Sequence, residues 1–291
     1  MPIREQIKKR IESLFEEYKN LSVGKESLLE IVSEAETSET VYNSNAIENS
    51  TLTLKETEKI LLEMELSRDV NLREIFEAKN LARVTSYIKK KASSDSPLNK
   101  EFILTLHKML ISGIDDNIAG RFRKEGEYVR VGTHIAPPPE KVDNMIDDVL
   151  SEYSKDITNY FLEKISKFHL DFETVHPFVD GNGRIGRVLI NFQLNSLGFP
   201  EVIIRNKEKE KYYKSFTEYR DKNDTTNMDK VLYLALLESL HKRIAYLKGE
   251  KIEKLSDYAK KNDKSISALL NSARRQTIPA FREKGVWKIG T

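Results

Sequence analysis

Apolar residues recur every three or four positions along almost the whole chain, and this constrains the fold more than any other feature. Ile3, Ile7, Ile11, Leu14 and Phe15 share one face of a predicted first helix. "KESLLEIVSEAETSETVYNSNAIEN" continues the habit. Further helices are predicted at about Leu54–Leu66, Asn71–Lys90, Lys100–Ile111, Lys141–Glu152, Asp156–Val175, Arg184–Leu197, Lys207–Asp221 and Asp229–Leu247. "SSDSPLN" and "DKNDTTN" carry cap residues and read as loops. One stretch, "GEYVRVGTHIAPPPEKV", breaks the rhythm. Its β-branched residues and Gly-Thr pair predict a short hairpin near Glu127–Ala136, which the three prolines end because they have no N–H to donate. The expected class is therefore all-α with one short β-hairpin.

Composition adds exclusions. The 291 residues are 39% apolar and 32% charged, as in a globular protein with a core. No apolar run approaches the roughly 18 residues of a membrane span, and the charged N-terminus does not read as a secretory signal. Cysteine is absent, so disulfides and thiolate metal sites are excluded and a cytoplasmic location is the expectation. The formal net charge is only +2, yet Gly249–Thr291 holds ten Lys/Arg against five Asp/Glu, a net of +5 that leaves the rest at −3.

"TVHPFVDGNGRIGR", Thr174–Arg187, gathers the residues that carry chemistry. Proline disfavours the α region for the residue before it, so the preceding helix should end at His176. The negative end of that helix would favour the protonated ring, and an imidazole titrating near neutrality suits a general base. Phe178 would turn inward and anchor the loop. Asp180, beside phosphates, would need a cation, so it is the candidate ligand for Mg²⁺. Gly181-Asn182-Gly183 permits an anion-binding nest that runs into a helix N-terminus. Arg184 and Arg187 lie three apart on one helical face and offer bidentate recognition of phosphate. Singly, these are also a helix cap, an ordinary turn and solvated arginines. Their joint spacing is what points to a phosphate-handling site.

These residues match the signature His-Pro-Phe-x-(Asp/Glu)-Gly-Asn-Gly-Arg-x-x-Arg at every defined position, and the chain resembles the Fic family from about Ser44 to Arg220. The resemblance implies a helical core and Mg²⁺-dependent transfer of a nucleotide monophosphate, usually AMP from ATP, to a Ser, Thr or Tyr hydroxyl of a target protein. It casts His176 as base, Asp180 as Mg²⁺ ligand, and Gly181 to Gly183 as the α- and β-phosphate nest, with an added contact from the Asn182 side chain. Arg184 would hold the β-phosphate and Arg187 the γ-phosphate, with Ile185 and Gly186 in the same nucleotide-binding stretch.

Three other segments resemble family features. "SNAIEN" is similar to the inhibitory sequence (Ser/Thr)-x-x-x-Glu-(Gly/Asn), on a helix expected at about residues 36–49. Ser44 and Glu48 share a helix face, and the resemblance pairs Glu48 with Arg187. In some relatives the same glutamate serves removal of AMP, so a reverse activity is implied as well. The hairpin would be the flap over the site, with Tyr128, Val129, Arg130 and Val131 taking the target as an added strand. Tyr212 and Tyr213 match an aromatic pair that binds adenine, although Arg220 stands about where an asparagine often follows.

The basic tail reads as helix, helix, turn, helix and the strand-like "GVWKIG", which resembles a small winged helix-turn-helix with Arg274 and Arg275 early in its second helix. The expected domains are 1–98 (N-terminal helices), 99–247 (Fic core) and 249–291 (tail). Expected partners are ATP, Mg²⁺, a target protein, DNA or protein at the tail, and a second copy of the chain. A membrane is not among them. The competing functions are a nucleotide-sensing DNA-binding regulator and a phosphotransferase. Gly181 speaks against the latter, since such relatives usually carry alanine there.

Overall fold

The computed structural model describes residues 2–66, 68–92 and 96–291. In chain order the helices are α1 (Glu5–Ser22), α2 (Glu26–Ile47), α3 (Leu54–Leu61), α4 (Leu72–Ala92) and α5 (Lys100–Ile111). A hairpin of β1 (Arg130–Val131) and β2 (His134–Ile135) follows, then α6 (Pro139–Lys155), α7 (Phe161–Val175), α8 (Asn182–Ser196), α9 (Lys209–Lys222) and α10 (Thr226–Leu247). The chain closes with β3 (Ile252–Lys254), α11 (Leu255–Lys261), α12 (Ile266–Arg274), β4 (Ala280–Glu283) and β5 (Val286–Gly290). No helix among the described residues is long and apolar enough to cross a membrane.

Local chemistry explains the boundaries. α3 opens with a Thr53–Glu56 capping box, α5 with Asn99 as N-cap, and α6 with Pro139 in its first turn. α7 starts later than its periodicity predicts, because the Asp156 carboxylate accepts from the Thr158 and Asn159 N–H groups and holds a turn instead. Of the predicted "SSDSPLN" loop, Ser93, Ser94 and Asp95 lie outside the described residues.

α8 runs through the centre, with α2, α4, α5 and α7 packed around it. On one side Leu81, Val84, Leu106, Leu110, Phe172 and Leu189 form the main core. On the other, Ile11, Leu162, Ile165, Leu194, Leu236 and Leu240 join α1, α7, α8 and α10. Each such side chain contributes about 1.5–3 kcal/mol on burial. A central helix buries its polar residues too, so Arg184, Arg187 and Asn191 must all find partners inside.

The tail departs from its expected order. It has two helices and three strands, in sheet order β3-β5-β4 and antiparallel throughout. "AFRE" pairs with "VWKIG" across Lys284-Gly285, both at positive φ, which is the turn a two-residue hairpin favours. Leu255, Ala273, Ala280 and Ile289 form its own small core. The hairpin tip is docked: the N–H groups of Lys284 and Gly285 each reach a Glu39 carboxylate oxygen on α2 at 3.1 Å. Arg205 pairs with Glu39 as well, and with Glu238 at 2.9 Å. One turn earlier on α2, Glu36 meets Arg243 at 2.7 Å and Lys242 at 3.1 Å.

Candidate active site

The site forms where α7 passes into α8. Pro177 prevents α7 from continuing, and His176 closes it as a C-cap in the left-handed region, φ 49° and ψ 63°. The loop beyond is pinned from inside. Asn182 accepts from the Phe178 N–H and donates to the Phe178 carbonyl, both at 2.8 Å. Phe178 is fully buried and stacks on His107, ring centres 3.7 Å apart. His107 Nδ1 accepts from the Gly120 N–H, which puts the ring proton on Nε2, facing the Asp180 carbonyl at 3.0 Å.

Gly181 caps α8 at φ 86°, a conformation that favours glycine. Ile185 N–H is the first to bond back, to Gly181 O at 2.9 Å. That leaves the N–H groups of Asn182, Gly183 and Arg184 as the free first-turn donors of an anion site. A carboxylate already sits there: a Cβ on Gly183 would collide with Glu48 Oε1. Glu48, at the end of α2, bonds Arg187 Nη2 at 2.7 Å. Arg187 also reaches the Ser44 carbonyl at 2.8 Å and Ser44 Oγ at 2.9 Å. Arg184 is likewise engaged, with Asp180 at 2.9 Å and Glu77 at 3.1 Å. Arg73 completes the chain on the other Asp180 oxygen at 2.5 Å. Both signature arginines thus lie against internal carboxylates, where phosphate oxygens would otherwise compete.

Protonation follows from burial. His176 was expected to titrate near neutrality, but its side chain is only 15% exposed. Burial pushes its imidazole down to about 4; the Arg123 guanidinium adds to the drop and the Glu173 carbonyl opposes it. Desolvation therefore outweighs the helix dipole, and the ring is neutral at pH 7. Behind it, burial and the nearby Glu48 carboxylate raise Glu173 to about 8, a neutral acid packed against Gly186. Burial works to raise the Asp180 carboxyl, but Arg184, Arg73 and the Gly181 N–H outweigh it, and the net shift is downward.

As a cation ligand Asp180 fits Mg²⁺ in one specific way. Among the described residues no cluster of three or more His, Cys, Asp or Glu stands ready for a metal. Mg²⁺, however, binds through one or two carboxylates completed by substrate phosphates and water. One ionised carboxylate beside a phosphate nest is that donor set, and the Arg73 side chain held against it is more than half exposed and displaceable.

Two expected nucleotide contacts need correction. The Asn182 side chain is consumed by the loop, so only its N–H faces an anion. Tyr212 is 1% exposed, with its hydroxyl on His169 Nε2 at 2.8 Å, so it packs in the core and offers no face to adenine. Tyr213, 38% exposed, lies beside it with ring centres 5.8 Å apart and donates to the Ile47 carbonyl at 2.8 Å. Neighbours on a helix are turned about 100° from one another, and Tyr212 took the inner position. In the flap, Arg130 pairs with Ile135 and Val131 with His134. Val129 adds one bond, from the Ala136 N–H at 3.2 Å, while Tyr128 stands outside the strands and exposed. In the tail, Arg274 and Arg275 end α12 rather than begin it, so its first turn presents Ser265, Ile266 and Ser267.

His107, Arg123, Arg73 and Glu77 escaped the sequence reading. Three of them left a signal. Arg73 and Glu77 are an i, i+4 pair on α4, and His107 sits on the apolar face of α5 between Leu106 and Leu110.

The Fic/DOC family model matches residues 97–194. The protein adenylyltransferase Fic of Drosophila willistoni is 31% identical over 179 residues, 60% of this chain and 35% of that protein. The Nematostella vectensis protein of the same name is 31% identical over 177 residues, 60% and 41%. The chain thus spans little more than a third of the length of these curated relatives. A Fic-domain signaling protein from Bacteroides thetaiotaomicron superposes with TM-score 0.72 at 28% identity, covering 83% of this chain and 97% of that one. A Fic family protein from Desulfovibrio desulfuricans shares the fold across the whole chain, TM-score 0.66 at 20% identity. The signature at the α7–α8 junction thus lies inside the stretch that matches the Fic/DOC family, and the fold around it is similar to that of solved Fic proteins.

Proposed function

We propose that this chain transfers AMP from ATP to a hydroxyl of a target protein, and that Glu48 restrains the transfer. One observation carries the reading: a neutral imidazole, a helix N-terminus with free N–H groups and two arginines converge on one loop, and a carboxylate from α2 is seated at that same N-terminus. The names of the similar proteins support it. As the acceptor oxygen attacks the α-phosphorus, His176 takes its proton. The bond from that phosphorus to the bridging oxygen breaks, and pyrophosphate leaves with the electron pair. The first-turn N–H groups of α8 bind phosphate oxygens, and Arg184 and Arg187 neutralise the leaving group. Mg²⁺, held through Asp180, supplies further charge neutralisation when bound.

The test uses ATP labelled at the α or the γ phosphate, with the Glu48→Gly form and Glu48→Gly/His176→Ala. Protein label is expected from the α position only, and loss of the base should lower it by about 10²–10⁴-fold. Label from the γ position would make the chain a phosphotransferase, and label from neither would count against transfer altogether.

The pH dependence has a defined sign. Lowering the pH protonates His176 and removes the base, so the rate falls through the ring's own pKa. Because that lies at about 4, the acid limb of kcat/KM should appear near pH 4, well below the ordinary histidine range. A limb above pH 6 that disappears with His176 would contradict the buried, neutral ring.

A further inference from the structure

We propose that Arg123 is a positioning residue for His176, and that the same guanidinium seats the flap hairpin against the catalytic loop. The catalytic consequence rests on the AMP-transfer reading above. Arg123 lies between α5 and the hairpin and is 3% exposed. Its partners are all main-chain carbonyls. Nε donates to His176 O at 2.9 Å and Nη2 to Val175 O at 3.3 Å, the C-terminal end of α7. Nη2 also donates to Pro137 O at 2.9 Å and Nη1 to Glu127 O at 3.1 Å, one on each leg of the hairpin. Its own N–H bonds Pro177 O at 2.9 Å.

The selection of partners is informative. A buried cation ordinarily takes a carboxylate, but the Glu127 carboxylate is held by Arg121 at 2.7 Å on each oxygen. Among the described residues Arg123 makes no ion pair. It instead meets the negative end of a helix, where carbonyls lack intrahelical partners. His176 needs such a clamp. A residue with a Cβ disfavours the left-handed region, and a following proline restricts it further, so this backbone persists only where its surroundings fix it. Holding the His176 carbonyl fixes the peptide that aims the imidazole. Holding Glu127 and Pro137 ties the flap, where an acceptor segment would lie, to that same peptide. His134 adds a second tie from the hairpin, its Nε2 on Thr174 O at 3.0 Å. Arginine suits the role because its planar fork serves several carbonyls at once, whereas lysine offers a point charge.

The experiment compares Arg123→Gln and Arg123→Lys in the Glu48→Gly form. It reads kcat and ATP KM for α-label incorporation into the chain itself, and the NMR signals of its histidine rings. Displacing a catalytic group by about 1 Å costs on the order of 10²-fold. Arg123→Gln should therefore lower kcat by about that factor, with ATP KM within about twofold. Arg123→Lys should recover part of the loss. The His176 ring signals should move in Arg123→Gln while those of the remote His241 stay in place. Retention of kcat within about threefold, or KM rising in step with the loss of kcat, would overturn the proposal. So would His176 signals that do not move. If Glu48→Gly itself takes no label, the AMP-transfer reading fails, and the His176 signals alone decide whether Arg123 positions the ring. Should Arg123→Gln not fold, Arg123→Lys decides by the same criteria.

Discussion

Glu48→Gly is expected to raise AMP incorporation by roughly 10- to 100-fold. A hydrogen bond to a charged group is worth about 1.5–3 kcal/mol, and each 1.36 kcal/mol is tenfold in rate. The Glu48 side chain is 36% exposed, so water replaces part of what is lost, and the lower half of the range is favoured. Two effects act together. Arg187 gains a free N–H edge while Ser44 still holds its other side, so the guanidinium stays in place for a phosphate. A negative charge also leaves the N-terminus of α8, where it opposes any incoming anion. Glu48→Gln separates the two, since it removes the charge and keeps the bulk over Gly183. It should fall between wild type and Glu48→Gly. A Glu48→Gly rate within about twofold of wild type would mean that the pair exerts no control.

The second large effect concerns stability. Arg205→Ala is expected to lower the free energy of unfolding by about 3–5 kcal/mol, the usual result of taking one partner from a buried charge group. Arg205 lies between Glu39 and Glu238, and all three are buried. Burial works to raise the Glu238 carboxyl, yet Arg205 and Arg282 outweigh it and the net shift is downward. Without Arg205, Glu238 keeps Arg282 at 2.6 Å, and Glu39 keeps only neutral hairpin amides. Denaturant unfolding of Arg205→Ala beside Glu39→Gln/Arg205→Met would measure this, with the apolar pair recovering much of the loss. A loss for Arg205→Ala below about 1 kcal/mol would show that the hairpin amides satisfy Glu39 without it.

Much of this was legible in the sequence because it is local. Helical spacing marked α1 to α10, and the signature placed a histidine, a glycine turn and two arginines within fourteen residues. The "SNAIEN" glutamate met Arg187 as the resemblance implied. What stayed illegible depends on which way a side chain faces and what lies across from it. Tyr212 and Tyr213 are adjacent, and only packing decides which one is inside. Asn182 has phosphate-binding chemistry but spends its amide on Phe178. The basicity of His176 depends on burial by segments far away in the chain. Arg123 serves four carbonyls that span residues 127 to 176, and no spacing rule connects them. The three-stranded tail sheet was missed because β3 and β4 are short and lie next to helical patterns, and only their pairing with β5 makes them strands.

The docked tip of the C-terminal hairpin bears on how such a chain can change over evolution. Composition suggests a detachable module beginning at Gly249. Yet Lys284 and Gly285 grip Glu39, on the same helix that ends in Ser44 and Glu48. A lineage that swapped, shortened or lost this module would leave the Glu39 carboxylate with Arg205 alone, on the helix whose end carries Ser44 and Glu48. The hairpin tip and α2 are therefore expected to change together.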